Sequence, residues 1–440
     1  MPDIVMYSPT LRLKGEIEVA PDKSIAQRAA IIGSLAAGIT TIHNFPRAAD
    51  PLSTLGMMEK LGAKVTPKIP SETAVDLRIE SSGYDQLEEP REVLDAGNSG
   101  TGMRLVLGLL AGHPAGHYAT ITGDASLRAR PMKRLVQPLR ELGAMIWGRQ
   151  NANAAPLSLL GQKLKGGLVR IPVASAQLKS ALLLSCLGGE SALTVVEKEP
   201  TRNHTELMLL QFGADLMPQN NLSVTLKPSK LSPTEIHIPG DLSGAAFFLV
   251  AASLIPGSEV SIKNVGLNPT RTGIVGVLRQ MGVRIEQQTN IFQGEPVGDL
   301  YVRGSALKAI QLGGEIIPNI IDEIPILSLA MSQAEGVSVI QDAAELRVKE
   351  SDRLKAIATL LKALGVNVEE RPDGLEIEGR AGKPFEPLEE NFDPHADHRL
   401  VMTAAIANLL SAKALKIQNP EWANVSFPGF FEKLHSLIVH

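Results

Sequence analysis

Apolar positions along this chain change period in a recurring order. Short β-type runs at 40–44, 192–197, 259–265 and 336–342 alternate with Ala/Leu-rich stretches whose apolar residues return every three or four positions. Leu354, Ile357, Leu361 and Leu364 make one such stripe and predict a helix with a buried face. A helix ending in apolar-Gly-apolar, then a strand, recurs at Gly62, Gly143, Gly213, Gly282 and Gly365. Glycine there suits the left-handed residue that closes a helix. A sixth, worn copy without the glycine ends the chain at 430–438.

Each copy opens on a polar turn ahead of its first helix. These turns are Lys23-Ser24, Asn98-Ser99-Gly100, Ser175-Ala176-Gln177, Asp241-Leu242-Ser243, Asp322-Glu323 and Ala396-Asp397-His398. The pattern predicts six β-α-β-α-β-β units. EIEVAPDKS at 16–24 resembles EIHIPGDLS at 235–243, so a duplication with three units per half follows. The expected fold class is α/β (α+β) with two similar domains. One takes 21–239. The other takes 1–20 plus 240–440, because the strand before Pro21 is expected to pair with the later half. Crossings near 20 and 240 would form a hinge.

A length of 440 residues allows two or three domains with real cores. Aromatics are 4% of the chain, which argues against ligands gripped by stacked rings. A net charge of −4 argues against nucleic acid as the main partner. Cys186 is the only cysteine, so no internal disulfide can form; its apolar surroundings predict a buried thiol rather than a nucleophile. No basic-then-apolar leader opens the sequence, and no apolar run reaches the roughly 18 residues of a membrane span. A cytoplasmic monomer without a membrane partner is expected.

The turn before the second helix carries an arginine in five units: Arg47, Arg128, Arg202, Arg271 and Arg347. Equivalent loops would gather these on one face of each domain, beside helix N-termini that favour anions. Residues 126–140 hold Arg128, Arg130, Lys133, Arg134 and Arg140 with no acid. Lys349 and Arg353, four apart, would repel on one helix by about 0.2–0.5 kcal/mol unless an anion lies between them. The alternative is a solvated face with Glu350 and Asp352. Other features also read two ways: Ser24 as an N-cap with Asp22 in the turn, 98–102 as a plain tight turn, Asp322-Glu323 as a helix cap or a base. No Gly-Lys-Ser/Thr follows Gly102, so this is not a Walker loop. His395 and His398 lack a third His or Cys ligand nearby, and no metal is expected.

Several of these motifs resemble, in order and over essentially the whole chain, those of the EPSP synthase (3-phosphoshikimate 1-carboxyvinyltransferase) family. They are PDKS at 21–24 with Arg28, NSGTGMR at 98–104, RARPM at 128–132, SAQ at 175–177, LRVKESDRL at 346–354 and His398-Arg399. The longest two are the most specific. The resemblance implies two domains of three units around pseudo-threefold axes, an inside-out α/β barrel. It implies transfer of the enolpyruvyl group of phosphoenolpyruvate to the 5-hydroxyl of shikimate 3-phosphate, releasing phosphate, with no cofactor and no metal. Lys23, Ser24, Arg28, Ser175, Ala176, Gln177, Arg202, Asp322 and Lys349 would hold shikimate 3-phosphate. Lys23, Gly100, Arg128, Gln177, Arg353 and Arg399 would hold phosphoenolpyruvate. Asp322 and Glu350 would be the acid–base pair, with Lys23 between the two substrates, and domain closure would complete the site.

Two positions depart from the family pattern. Val425 precedes Ser426-Phe427-Pro428 where a lysine is frequent, and Thr201 stands where a serine is frequent. Thr201-Arg202 and LRVKESDRL resemble the branch that includes glyphosate-tolerant members. Gly100 is kept, however, where some of those have alanine, so glyphosate is expected to compete with phosphoenolpyruvate. UDP-N-acetylglucosamine enolpyruvyl transferases, the nearest alternative, usually have Asn after the first lysine and a reactive Cys in a mobile loop. Here Ser24 follows Lys23 and residues 112–128 hold no cysteine. A non-catalytic sensor of phosphorylated ligands would be expected to lack Asp322 or Glu350.

Overall fold

Six helices start at the six polar turns. In the computed structural model, which describes residues 10–70, 74–292 and 294–439, they span Lys23–Gly33, Gly100–Ala111, Ala176–Ser185, Leu242–Leu254, Ile324–Ser332 and His398–Asn408. Residues 1–9, where no leader was expected, lie outside the described residues. Five of the six helices have a side-chain cap: Asp22, Ser99, Ser175, Asp241 and Asp397 each accept a backbone N–H from the first turn. Such a cap contributes about 1 kcal/mol. The cap of the first helix is therefore Asp22, and Ser24 lies inside the first turn. The helix after Asp322-Glu323 has no side-chain cap, so these acids are not spent on the helix end.

The described chain divides into two compact units. The first is Pro21–Ile238 with the described part of Phe292–Glu295, and it holds three four-stranded sheets. In each, two parallel strands flank the central helix and an antiparallel hairpin completes the sheet. Gly167–Arg170 and Leu193–Val196 run parallel, for example, and Ser223–Leu226 and Leu216–Asn220 close the hairpin. Another sheet takes Leu94–Asp95, Tyr118–Thr122, Ala154–Leu160 and Met145–Gly148. The third receives its first strand from far along the chain: Glu235–His237 lies parallel to Gly38–Pro46, with Ile236 beside Ile42.

The second unit contains Pro239–Ile291, Pro296–His440 and the described part of Met1–Ala20. Its first sheet mirrors that borrowing, because Arg12–Glu18 pairs with Glu259–Gly266, Ile17 beside Ile262. The pairing of the opening strand with the later half was legible in the sequence; the reciprocal use of Glu235–His237 was not. A second sheet takes Gln311–Leu312, Val337–Ile340, Gly374–Glu378 and Val368–Arg371. The worn sixth repeat keeps only the parallel pair Asn391–Phe392 and Lys416–Ile417, and its last strand Ile438–Val439 lies on the edge of the first sheet beside Arg12–Glu18.

Each unit has its own apolar core around its three central helices. Leu354, Ile357, Leu361 and Leu364 are all buried there, as their spacing predicts. In the first unit, helices Gly100–Ala111 and Ala176–Ser185 touch backbone to backbone. A Cβ at Gly108 or Gly112 would overlap the carbonyl of Ala181 or Ser185, so glycine sets this close approach. Among the described residues no helix is long and apolar enough to cross a membrane.

Candidate active site

The central helices of the first unit begin at three turns, and buried polar side chains tie those turns together. Gln27 donates to the Asp50 carbonyl at 3.2 Å, to Thr54 Oγ1 at 3.0 Å and to Ser99 Oγ. Arg28, itself buried, donates to Thr205 Oγ1 at 2.7 Å, Ser180 Oγ at 3.1 Å and the Ser24 carbonyl at 3.0 Å. Arg104 donates to Gln177 Oε1 at 2.7 Å, and Gln177 Nε2 donates to Thr101 Oγ1 at 2.9 Å. The first and third turns are thus joined through Arg28, the first and second through Gln27, and the second and third through Arg104 and Gln177.

Around this frame lie more cations than acids. Lys23, the first residue of its helix, pairs with Asp50 at 2.9 Å. Arg128 donates to the Gly123 carbonyl at 2.9 Å, and Arg130 to Asn98 Oδ1 at 2.7 Å. Asn98 in turn donates to Asp124 Oδ2 at 2.6 Å, which knits the arginine loop to the 98–104 loop. In these bonds Lys23 meets the Asp50 carboxylate, while Arg104, Arg128 and Arg130 meet amide and carbonyl oxygens. Acids are absent from 126–140, and carbonyl and amide oxygens serve instead. Three helix N-termini add positive dipole ends to the same loops.

Behind the third turn sits a buried ion cluster that the sequence reading missed. Lys179 pairs with Glu197 at 2.8 Å and Glu206 at 2.7 Å, and reaches the Thr201 carbonyl at 3.4 Å. Thr201 Oγ1 donates to Glu197, so this side chain turns into the protein while its neighbour Arg202 follows in the loop. Burial pushes the Glu197 carboxyl above its ordinary range, against the pull of Lys179. Cys186 is also buried, with its thiol pushed up to about 11 by burial, and is no nucleophile at neutral pH.

In the second unit, one cluster gathers most of the residues singled out there. Arg353 is 1% exposed and donates to Asp397 Oδ2 at 2.7 Å and Glu350 Oε2 at 2.6 Å. Asp322 lies 3.5 Å from Arg353, 3.7 Å from Lys349 and 4.0 Å from Arg399. Lys349, Arg353 and Arg399 are thus matched by Asp322, Glu350 and Asp397. Burial lowers the pKa of Lys349, and Arg353 adds to that while Asp322 opposes it. Lys349 and Arg353 do not share a helix: Asp352 is the N-cap, Arg353 the first helical residue, and Lys349 precedes both. The geometry expected of an i, i+4 pair is therefore absent, although the two cations still feel each other.

Two of the five turn arginines have structural duties. Arg271 is buried against Asp241 at 2.9 Å and Ser243 at 2.8 Å. Arg347 pairs with Asp352 and Glu370 and donates to the carbonyls of Pro372 and Arg371. In these two loops the arginine fastens its own turn. Val425 ends the 3-10 turn Pro420–Val425, half-buried ahead of the core residue Phe427.

Residues 8–434 match the family model of EPSP synthase (3-phosphoshikimate 1-carboxyvinyltransferase). The chain belongs to the EPSP synthase family. A 3-phosphoshikimate 1-carboxyvinyltransferase of Synechococcus sp. (strain JA-3-3Ab) is 47% identical, over 99% of this chain and 97% of the relative. One of Bacillus licheniformis is 46% identical, over 97% of each chain. The solved EPSP synthase of Acinetobacter baumannii superposes with a TM-score of 0.85 at 37% identity, over 99% of both chains. The enolpyruvyl transferase NikO of Streptomyces tendae, 17% identical, shares the fold with a TM-score of 0.75 over 99% of this chain and 98% of its own. The two-domain α/β fold expected for the EPSP synthase family is the fold of this chain.

Proposed function

We infer that this chain transfers the enolpyruvyl group of phosphoenolpyruvate to the 5-hydroxyl of shikimate 3-phosphate, giving 5-enolpyruvylshikimate 3-phosphate and phosphate. The observation that carries the chemistry is the pair of carboxylates, Asp322 and Glu350, held on one buried guanidinium, Arg353. The names of the relatives support the choice of substrates.

The reaction joins the 5-oxygen to C2 of phosphoenolpyruvate and adds a proton at C3. Loss of phosphate from C2 and of a proton from C3 then restores the double bond. Asp322 takes the proton of the attacking hydroxyl. Glu350 delivers the proton to C3 and removes one during elimination, as a general acid and then a base. Lys349, Arg353 and Arg399 stabilise the negative charge that develops on the substrate and on these two carboxyl groups as protons move.

Both substrates carry a phosphate and a carboxylate, so they repel one another unless fixed cations intervene. Lys23, Gly100, Arg128, Gln177, Arg353 and Arg399 are assigned to phosphoenolpyruvate. Lys23, Ser24, Arg28, Ser175, Ala176, Gln177, Arg202, Asp322 and Lys349 are assigned to shikimate 3-phosphate. Guanidinium forks suit the bidentate oxygens of these groups, and the compact ammonium of Lys23 suits a place shared by both. Arg28, whose hydrogen bonds run inward to Thr205 and Ser180, contributes mainly by fixing the turn.

The deciding experiment measures phosphate release from phosphoenolpyruvate with shikimate 3-phosphate as acceptor, in the native enzyme and in Asp322→Asn and Glu350→Gln. Release should be rapid in the native enzyme and fall about 10²–10⁴-fold in each variant. Release with UDP-N-acetylglucosamine in place of shikimate 3-phosphate, or tight binding without turnover, would overturn the assignment.

A further inference from the structure

His43, His237 and Asp76 lie side by side on three adjacent strands of the first unit. His43 is in register with His237 on the strand Glu235–His237, and Gly38–Pro46 is also paired with Ala74–Ser81, which carries Asp76. Glu235 is two residues from His237 and so shares its face. None of these four belongs to the loops assigned to substrate.

The Asp76 carboxylate fixes the first imidazole. Asp76 Oδ2 is 2.8 Å from His43 Nδ1, and its Oδ1 accepts the backbone N–H of Asn44 at 2.9 Å. With Nδ1 so engaged, His43 presents Nε2 to Glu235 Oε1 at 2.7 Å. His237 Nε2 lies 3.4 Å from the same oxygen. The three donor atoms all fall within 4.8 Å of one another, and among the described residues no other group of three His, Cys, Asp or Glu side chains is found to converge so. A carboxylate behind a ligating imidazole is the arrangement that orients metal-bound histidines.

We propose that His43, Glu235 and His237 bind one divalent cation of the zinc class, with Asp76 orienting His43. Bonds of about 2.0–2.2 Å in a tetrahedral site place ligand atoms roughly 3.4 Å apart. Of the two separations at Glu235, that to His237 (3.4 Å) matches this value and that to His43 (2.7 Å) is shorter, and the exposed carboxylate has room to back away from His43. The imidazoles stack with centroids 4.3 Å apart and planes 18° from parallel. His237, the more exposed, therefore rotates so that both Nε2 lone pairs meet, and water takes the fourth position. Two nitrogens and one oxygen select zinc, cobalt, nickel or copper over calcium and magnesium, which prefer oxygen alone.

The site would fasten a strand that needs it. Glu235–His237 is three residues long and joins its sheet from almost two hundred positions away. Asn44 already holds the next residue, its Nδ2 donating to the Ile238 carbonyl at 2.9 Å. A metal between the strands would bind the folded sheet and not the open chain, and so raise the melting temperature.

The test is calorimetric titration of the full-length protein with Zn²⁺ in chelator-free buffer, alongside His237→Asn, Glu235→Gln, Asp76→Asn and His395→Asn. One equivalent of Zn²⁺ should bind. Affinity should fall at least tenfold in His237→Asn and in Glu235→Gln, about 10–100-fold in Asp76→Asn, and not at all in His395→Asn. Zn²⁺ should raise the melting temperature of the native protein and not of His237→Asn. Absence of stoichiometric binding, native affinity in either ligand variant, or loss of binding in His395→Asn would overturn the proposal.

Discussion

Arg353 Nε stands 2.7 Å from Asp397 Oδ2, and neither side chain is more than 1% exposed. Asp397 also accepts the backbone N–H of Arg399 at 3.0 Å and the hydroxyl of Ser351 at 3.1 Å. Burial alone would raise the Asp397 pKa, yet Arg353 holds it below the ordinary carboxylate range. Asp397 thus caps a helix, neutralises the guanidinium and aims Arg353 at Glu350 and Asp322.

Replacing Asp397 by Ala leaves a buried guanidinium without its principal partner. The expected cost is about 3–5 kcal/mol, read from the urea midpoint of unfolding. Asp397→Leu with Arg353→Leu should cost less than the sum of the single changes, because the double variant leaves neither charge of this pair buried without the other. Additive losses would show that the pair is not coupled.

Gly100 lies where a methyl group has little room. A Cβ there would meet Arg104 Nη1 at 2.8 Å and Arg130 Nη1 at 3.2 Å. Both contacts are the far ends of flexible side chains, so Gly100→Ala should fold. It should displace Arg104 from Gln177 and narrow the space assigned to phosphoenolpyruvate. The expected result is a raised KM for phosphoenolpyruvate with a smaller change in kcat, and weaker competition by glyphosate. Inhibition no stronger in the native enzyme than in Gly100→Ala would refute this account of the loop.

What the sequence disclosed depended on periodicity. The glycine landmarks and six polar turns marked the units because helix ends impose fixed local chemistry, and all five landmark glycines have positive φ. Lys349, Glu350 and Arg353 stood out through their spacing and their resemblance to the EPSP synthase family. The partners of these residues did not. Asp397 occupies the capping position also held by Asp22 and Asp241, so the repeat exposed it as a cap but not as the counter-ion of Arg353. Lys179, Glu197 and Glu206 are joined only by tertiary folding, and no local pattern sets buried ions apart from surface charge. Arg271 and Arg347 misled for the same reason: their position was visible, their acids were not.

Lys179 offers a way to separate support from chemistry. Its ammonium binds Glu197, Glu206 and the Thr201 carbonyl next to Arg202. Lys179→Met should leave two buried carboxylates facing each other and cost about 3–5 kcal/mol. In enzyme that remains folded, KM for shikimate 3-phosphate should rise more than kcat falls, because Arg202 loses its anchored loop. Steady-state kinetics below the melting transition make the comparison. An unchanged KM would mean that the loop holds its shape without the buried ions.

Lys349 gives the alkaline limit of activity a specific source. Burial lowers its pKa below the ordinary 10.5, with Asp322 opposing and Arg353 reinforcing the shift. For a lysine whose folded pKa is lowered, the unfolded chain binds more protons between the lowered value and 10.5. This group therefore destabilises the fold at low pH, and stability recovers as pH rises through that window. Activity runs the other way, because the assigned contact with shikimate 3-phosphate needs the ammonium. The logarithm of kcat/KM, which reports the free enzyme, should begin to fall at the lowered pKa, ahead of 10.5. Lys349→Arg keeps its charge through this range and should move the limb upward, at the expense of a poorer fit at neutral pH. An alkaline limb that stays in place in Lys349→Arg would assign the titration to another group.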